Sequence, residues 1–125
     1  MVGSGGREHA LVWKLSGAAS VSDLHAAPGN PGMEQDAQLH SVDASNIGGI
    51  TELTSRIKPD LVVIGPEAPL VAGMADALRE QGCNVFGPSA AAARIEGSKA
   101  FAKDIMLAAG VPTARPLDEP RAPCV

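Results

Sequence analysis

Three glycines stand within the four residues Gly3-Ser4-Gly5-Gly6, and a helical pattern begins directly behind them. Glycine loses more backbone freedom on ordering than any other residue, so this run reads as a loop rather than the interior of a helix or strand. From Arg7 to Leu15 apolar residues recur at helical spacing, Leu11 with Leu15 and Ala10 with Trp13. The glycines therefore feed a helix N-terminus. Unpaired N–H groups and the positive end of the helix dipole point there at whatever approaches, and bare backbone admits an anion closely. Arg7 adds a planar fork of donors suited to phosphate or carboxylate. A tight strand-to-helix connection without a ligand is the simpler reading of the same residues. The dinucleotide fingerprint Gly-x-Gly-x-x-Gly fits less well. Gly3 and Gly5 fill its first two positions, but Glu8 stands at the third, and the ribose-binding acid is absent: Ala26-Ala27-Pro28 occupies its place and Asp23 comes too early.

The rest of the chain alternates strands with helices. A strand is expected over Val21 to Ala27, ending in the turn-rich Pro28-Gly29-Asn30-Pro31-Gly32, and a short one over Leu39 to Val42. Asp43 to Asn46 offer helix caps ahead of Ile47, Ile50, Leu53, Thr54 and Ile57, and Pro59 closes that helix. Leu61-Val62-Val63-Ile64 is the clearest buried parallel strand, and it opens into the loop Gly65-Pro66-Glu67-Ala68-Pro69-Leu70. A helix is expected from Val71 to Gln81 with Ala72, Ala75 and Leu78 inward, then a strand over Asn84 to Phe86. Ser89 and Ser98 are positioned to cap two further helices, the second running from Lys99 to Ala109. This alternation implies an α/β fold with an open, mostly parallel, Rossmann-like sheet. Only Met1-Val2 precede the glycine loop, where a strand of about five residues is usual, so the first strand reads as truncated. Arg115 to Val125 holds three prolines and no periodicity, and reads as an irregular tail.

Ligands of open α/β sheets bind outside the carboxyl ends of the strands, so the loops starting at Gly3, Pro28 and Gly65 should share one crevice. Composition narrows what enters it. A net charge of −4 and only three aromatic residues, Trp13, Phe86 and Phe101, argue against a nucleic-acid partner. No apolar run reaches the length of a membrane span and no basic-then-apolar leader is present, so the expectation is a cytoplasmic protein without a membrane partner. Cys83 and Cys124 lack metal-ligand spacing and read as reduced thiols; His9, His25 and His40 are scattered, so no metal site is expected.

Five segments in order carry a resemblance: Gly5-Gly6-Arg7-Glu8-His9-Ala10-Leu11, Ala27-Pro28-Gly29-Asn30, Gly65-Pro66-Glu67-Ala68-Pro69-Leu70, Phe86-Gly87-Pro88-Ser89 and Glu96-Gly97-Ser98-Lys99-Ala100-Phe101. From Val2 to about Ala114 the chain resembles the phosphoribosylamine–glycine ligases, ATP-grasp enzymes of purine biosynthesis. The resemblance implies a ligase that joins 5-phosphoribosylamine to glycine through an acyl phosphate, with ATP and magnesium. It implies a substrate-binding domain over 1–96, the start of an ATP-grasp domain over 97–114, and a tail over 115–125. The substrate crevice would be formed by Gly5, Gly6, Arg7, Glu8, Gly29, Asn30, Gly65, Pro66 and Glu67, with Lys99 reaching the ATP phosphates. Chemistry alone leaves Glu8 open to a purely dipole-pairing role, Glu67 to bracing its own loop, and Lys99 to solvation. No acidic pair matches magnesium ligands and no catalytic residue is assigned. A chain of this extent is expected to be a fragment that does not catalyse alone. A non-catalytic module for a phosphorylated ligand, or a Rossmann oxidoreductase domain, are the rival readings.

Overall fold

The structure is a computed structural model that describes residues 1–113. The expected tail and Cys124 lie outside the described residues. Among the described residues five strands form: β1 (Val2–Gly3), β2 (His25–Pro28), β3 (Gln38–Leu39), β4 (Val62–Val63) and β5 (Val85–Phe86). All pairings are parallel. β1 lies between β2 and β4: it pairs with β2 through Val2 opposite Ala27, and a bridge from Val2 to Ile64 joins it to the β4–β5 pair. The order across the molecule is thus β3-β2-β1-β4-β5, an open α/β sheet of the doubly wound kind.

The central strand is only two residues long, yet it is held on both sides. The Met1 carbonyl accepts from Ala27 N at 2.9 Å, the Val2 carbonyl from Gly65 N at 3.1 Å, and the Gly3 carbonyl from Gly29 N at 3.1 Å. The strand expected from Val21 starts only at His25. β3 likewise ends at Leu39, short of the expected Val42.

Alternate residues of a strand face opposite sides, and the core divides accordingly. Ala27, Val2, Val62 and Ile64 pack with Ile50 and Leu53 of α2 (Ile47–Ile57) and with Met74, Ala75 and Leu78 of α4 (Met74–Glu80). Ala26 packs on the other face with Met33 and with Val12 of α1 (Gly6–Ser16). Fully burying side chains such as Ile50, Met74 and Leu78 is worth ~1.5–3 kcal/mol each, so α2 and α4 anchor the larger half of the core.

Two helical expectations need correction. In α1 the buried residues are Glu8 and Val12, whereas Leu11 and Trp13 are exposed. The helix starts at the glycine loop, so its orientation is set by where Glu8 packs rather than by its most apolar side chains. The helix expected over 71–81 is two helices, α3 (Glu67–Val71) and α4, separated at Gly73, whose φ of 92° ends one and restarts the other. Pro69 falls in the first turn of α3, where its missing N–H has no helical acceptor to lose, so part of the expected loop is helical. Ala72 is exposed, not inward. The remaining helices, α5 (Ala90–Gly97) and α6 (Lys99–Ala108), start where Ser89 and Ser98 accept from Ala92 N and Phe101 N, both at 3.3 Å.

Candidate functional site: a glycine-lined crevice at the carboxyl ends of β1, β2 and β4

Glu8 organises the crevice from within. The residue is only 4% exposed. One carboxylate oxygen, Oε2, accepts from Gly5 N at 2.8 Å, half of a capping box closed on the helix entry. The other, Oε1, accepts from Arg7 Nε at 3.1 Å. Three glycines wrap this side chain. A Cβ on Gly3 would fall 2.7 Å from Glu8 Cγ and 3.0 Å from Pro66 Cδ; one on Gly5 would fall 2.6 Å from Oε2; one on Gly65 would overlap the carboxylate outright. Gly3 also holds φ at 125°, a backbone that L side chains rarely adopt. Glu8 therefore links the loop after β1 to the loop after β4, and glycine at these positions is what lets it pass between them.

With Glu8 turned inward, the helix entry faces outward. The first helical bond runs from His9 N to the Gly5 carbonyl at 3.0 Å. The N–H groups of Gly6, Arg7 and Glu8 accordingly have no acceptor within α1, and the dipole's positive end adds to them. Nothing would lie within 4 Å of a Cβ on Gly6, so the space beside the first helical residue is open. The Arg7 side chain is 62% exposed, and its guanidinium also reaches Glu67 Oε2 at 3.8 Å. At that exposure the Arg7–Glu67 pair contributes little to stability and leaves the guanidinium available.

The loop after β2 closes the third side. Asn30 Nδ2 donates to the Ser4 carbonyl at 2.9 Å and its Oδ1 accepts from Gly32 N at 2.9 Å, so one side chain ties its own turn to the glycine loop. Gly29, at φ 71°, lies against Leu39 and Ala26, and His9 lies against Gly32. The Ala27–Pro28 peptide bond here is cis. Gly5, Gly6, Arg7, Glu8, Gly29, Asn30, Gly65, Pro66 and Glu67 thus belong to one neighbourhood, built by loops at three strand ends. Sequence reading placed Ser4 in the glycine loop without giving it a role, and left His9 unassigned. Both lie inside the glycine-rich segment, but only the fold shows that the loop after β2 rests on them.

Lys99 stands apart. It is exposed in the first turn of α6, with no hydrogen bond or ion pair to the glycine loop among the described residues. Between α3 and α5 runs a shallow cleft lined by Glu67, Ala68, Val71, Ala72, Glu96 and Gly97, which separates the two regions. Among the described residues no group of three or more His, Cys, Asp or Glu side chains could hold a metal ion. The donor set at the crevice, one engaged carboxylate and one exposed one, does not make a magnesium site either. Among the described residues no helix is long and apolar enough to cross a membrane.

The opposite end of the sheet carries a second polar cluster. His25 Nδ1 and His40 Nε2 lie 3.0 Å apart, and the Met1 α-amine donates to the His25 carbonyl at 2.7 Å. Burial lowers the amine's pKa from 8.0 to about 6. His40 is also shifted down, by desolvation first and then by the charges of His25, Arg56 and the amine.

Comparison with known proteins identifies the architecture. Residues 1–96 match the family model described as phosphoribosylglycinamide synthetase, N domain. Proteins named phosphoribosylamine–glycine ligase are similar to the chain. That of Streptomyces coelicolor is 60% identical over 115 residues, covering 92% of this chain and 28% of the relative. That of Corynebacterium ammoniagenes is 55% identical over 117 residues, covering 92% of this chain and 28% of the relative. That of Mycobacterium bovis is 54% identical over 114 residues, covering 91% of this chain and 27% of the relative. The chain thus spans little more than a quarter of the length of these relatives. A glycine loop feeding α1 from a central parallel strand, read together with the match over 1–96, makes the chain a member of the phosphoribosylglycinamide synthetase N-domain family.

Proposed function

We propose that the crevice binds the phosphoribosyl substrate of a ligase that joins 5-phosphoribosylamine to glycine with ATP, and that this chain carries the substrate side of that reaction rather than its chemistry. The observation that supports it is the entry of α1, where the N–H groups of Gly6, Arg7 and Glu8 precede the first helical bond, the space beside Gly6 is open and the Arg7 side chain is exposed. That is the donor set a phosphate monoester needs: dipole, backbone donors and a planar fork. Asn30 and Glu67 on the flanking loops offer hydrogen bonds to ribose hydroxyls or the amine. Gly29, Gly65 and Pro66 supply walls that approach without side-chain bulk. Glu8 holds the loop and aims Arg7.

ATP would be met by Lys99 at most within these residues, and magnesium by none of them, since the donor set above does not fit it. ATP activates the glycine carboxylate as an acyl phosphate, and the residues described here contribute binding and orientation of the partner that attacks it. The domain division at about residue 96, with Lys99 starting the nucleotide-binding part, belongs to this reading, as does a cytoplasmic location. Isothermal titration with glycinamide ribonucleotide tests it. Saturable binding is expected, weakened at least tenfold by Arg7→Ala, with glycine-dependent ATP hydrolysis absent. Equal binding by the variant, or turnover by the chain alone, overturns it.

A further inference from the structure

The first turn of α1 spreads Gly6, Arg7, Glu8 and His9 around the helix end, since successive helical residues turn by about 100°. Glu8 points inward, against the loops after β1 and β4. Gly6 falls on the opposite side, where space is open. Arg7 and His9 flank Gly6. Arg7 stands toward the loop after β4, where it reaches Glu67. His9 stands toward the loop after β2. A Cβ on Gly32 would fall 2.5 Å from His9 Cε1 and 3.1 Å from its Nδ1, so an edge of the imidazole lies on the bare backbone of Gly32. Gly32 in turn donates to Asn30, whose side chain holds the Ser4 carbonyl at 2.9 Å. Helical side chains lean toward the N-terminus, so the ring covers the turn that starts at the glycine loop rather than the one beyond it.

The nitrogens of that ring are unused. Among the described residues no group hydrogen-bonds either of them and no acid pairs with them. Neither is sealed from solvent: His9 is half-buried, and among the described residues no side-chain nitrogen is both buried and unpaired. The polar side chains around it are committed, Glu8 to Gly5 N and Arg7, Asn30 to Ser4 and Gly32. We propose that His9 donates a hydrogen bond to the phosphate of the phosphoribosyl substrate, on the flank of the α1 entry opposite Arg7. The role rests on the reading of the crevice as a phosphoribosyl site and assigns that site a further residue. An anion seated beside Gly6 then has the guanidinium on one side and the imidazole on the other, with the helix N–H groups between them. A neutral imidazole carries one N–H and one bare nitrogen. With no protein partner to fix the tautomer, the proton takes whichever nitrogen the anion faces. A hydrogen bond to a charged oxygen is stronger than one to a neutral oxygen, and a ligand without phosphate gains nothing from it. His9 is thereby a specificity residue, separating a ribose phosphate from a ribose.

The test titrates the full chain with glycinamide ribonucleotide and with glycinamide riboside, the same molecule without its phosphate. His9→Phe keeps a ring against Gly32 and removes both nitrogens. It should weaken ribonucleotide binding about tenfold or more and leave riboside binding unchanged. His9→Gln keeps an N–H donor without the ring, and should bind the ribonucleotide within about threefold of the parent. In the unsubstituted chain the ring ¹⁵N signals of His9 should move with the ribonucleotide and not with the riboside, a readout that needs no variant to fold. A His9→Phe chain that binds the ribonucleotide as the parent does, or one that loses both ligands equally, overturns the role of His9. So do ring signals that stay in place while the amides of Gly6 and Arg7 shift, a result that leaves the crevice reading standing. A parent chain that does not bind the ribonucleotide overturns both.

Discussion

Glu8 has a structural task that its chemistry alone does not announce. A buried carboxylate is tolerable because both oxygens are hydrogen-bonded and one of them meets a guanidinium. Glu8→Ala should cost about 2 kcal/mol in chemical unfolding, the scale of losing hydrogen bonds to a charged group. Glu8→Gln, which keeps an acceptor for Gly5 N, should cost less. Gly65→Ala drives a methyl into the same carboxylate and should destabilise by ~1–3 kcal/mol. Gly6→Ala separates binding from folding. Its added methyl meets nothing in the protein, so stability should be unchanged or slightly raised, while the same methyl stands where a phosphate would approach. Glycinamide ribonucleotide affinity should fall at least tenfold with Tm preserved. At this scale the sequence was informative about which residues gather and silent about how they face. Glycines at 3, 5, 6 and 65 marked close approach, but that three of them serve a buried side chain emerges only when β1 and β4 are neighbours.

At the scale of elements, boundaries followed from capping chemistry where a side chain made the cap. Asn46 Oδ1 accepts from Gly49 N at 2.9 Å, and α2 starts where the sequence placed it. Asn46→Ala should lower stability by about 1 kcal/mol, read as a shift in the denaturant midpoint without a change in slope. The expectation failed where tertiary context decided. Gly65 to Leu70 has the composition of a loop, yet Pro66 sits at the N-cap and Pro69 in the first turn, both positions a helix accepts. Val71 to Gln81 has the periodicity of one helix, yet Gly73 breaks it. In α1 the apolar periodicity of Leu11 and Leu15 pointed to the wrong face, because the glycine loop had already fixed the helix by its first turn. The strands were legible as apolar runs, while their observed lengths are shorter than those runs. The edge strand β5 shows a device no local pattern reveals: Arg79 reaches back to the carbonyls of Val85 at 3.1 Å and Gly87 at 2.5 Å, occupying acceptors that a sheet edge would otherwise offer.

For the whole molecule, both ends of the sheet carry nitrogen groups. The carboxyl ends present donors to an anion; the amino ends gather a half-buried nitrogen cluster of Met1, His25 and His40. The second sets a pH dependence. The amine's folded pKa, about 6, lies below its ordinary 8.0, so between these values the unfolded chain binds more protons than the folded one. Stability should therefore rise as pH goes from 6 to 8, by roughly 2 kcal/mol, and the gain should be lost on acidification through the same window. The downward shift of His40 acts with the same sign below its ordinary 6.5. Urea unfolding at pH 6 and pH 8 checks this, and acetylation of the amine should flatten the profile. The parallel order β3-β2-β1-β4-β5 brings the loops after β1, β2 and β4 to one place. The family match over residues 1–96 accords with that arrangement.

The central claim is that the entry of α1 receives a phosphate. The most direct measurement is an ¹⁵N–¹H correlation titration of the chain with glycinamide ribonucleotide. The account predicts saturable shifts concentrated at the amides of Gly6, Arg7 and Glu8, with smaller ones at Asn30 and Glu67, and their loss in Gly6→Ala. Shifts that spare the α1 entry, or that survive the Gly6→Ala substitution unchanged, would contradict it.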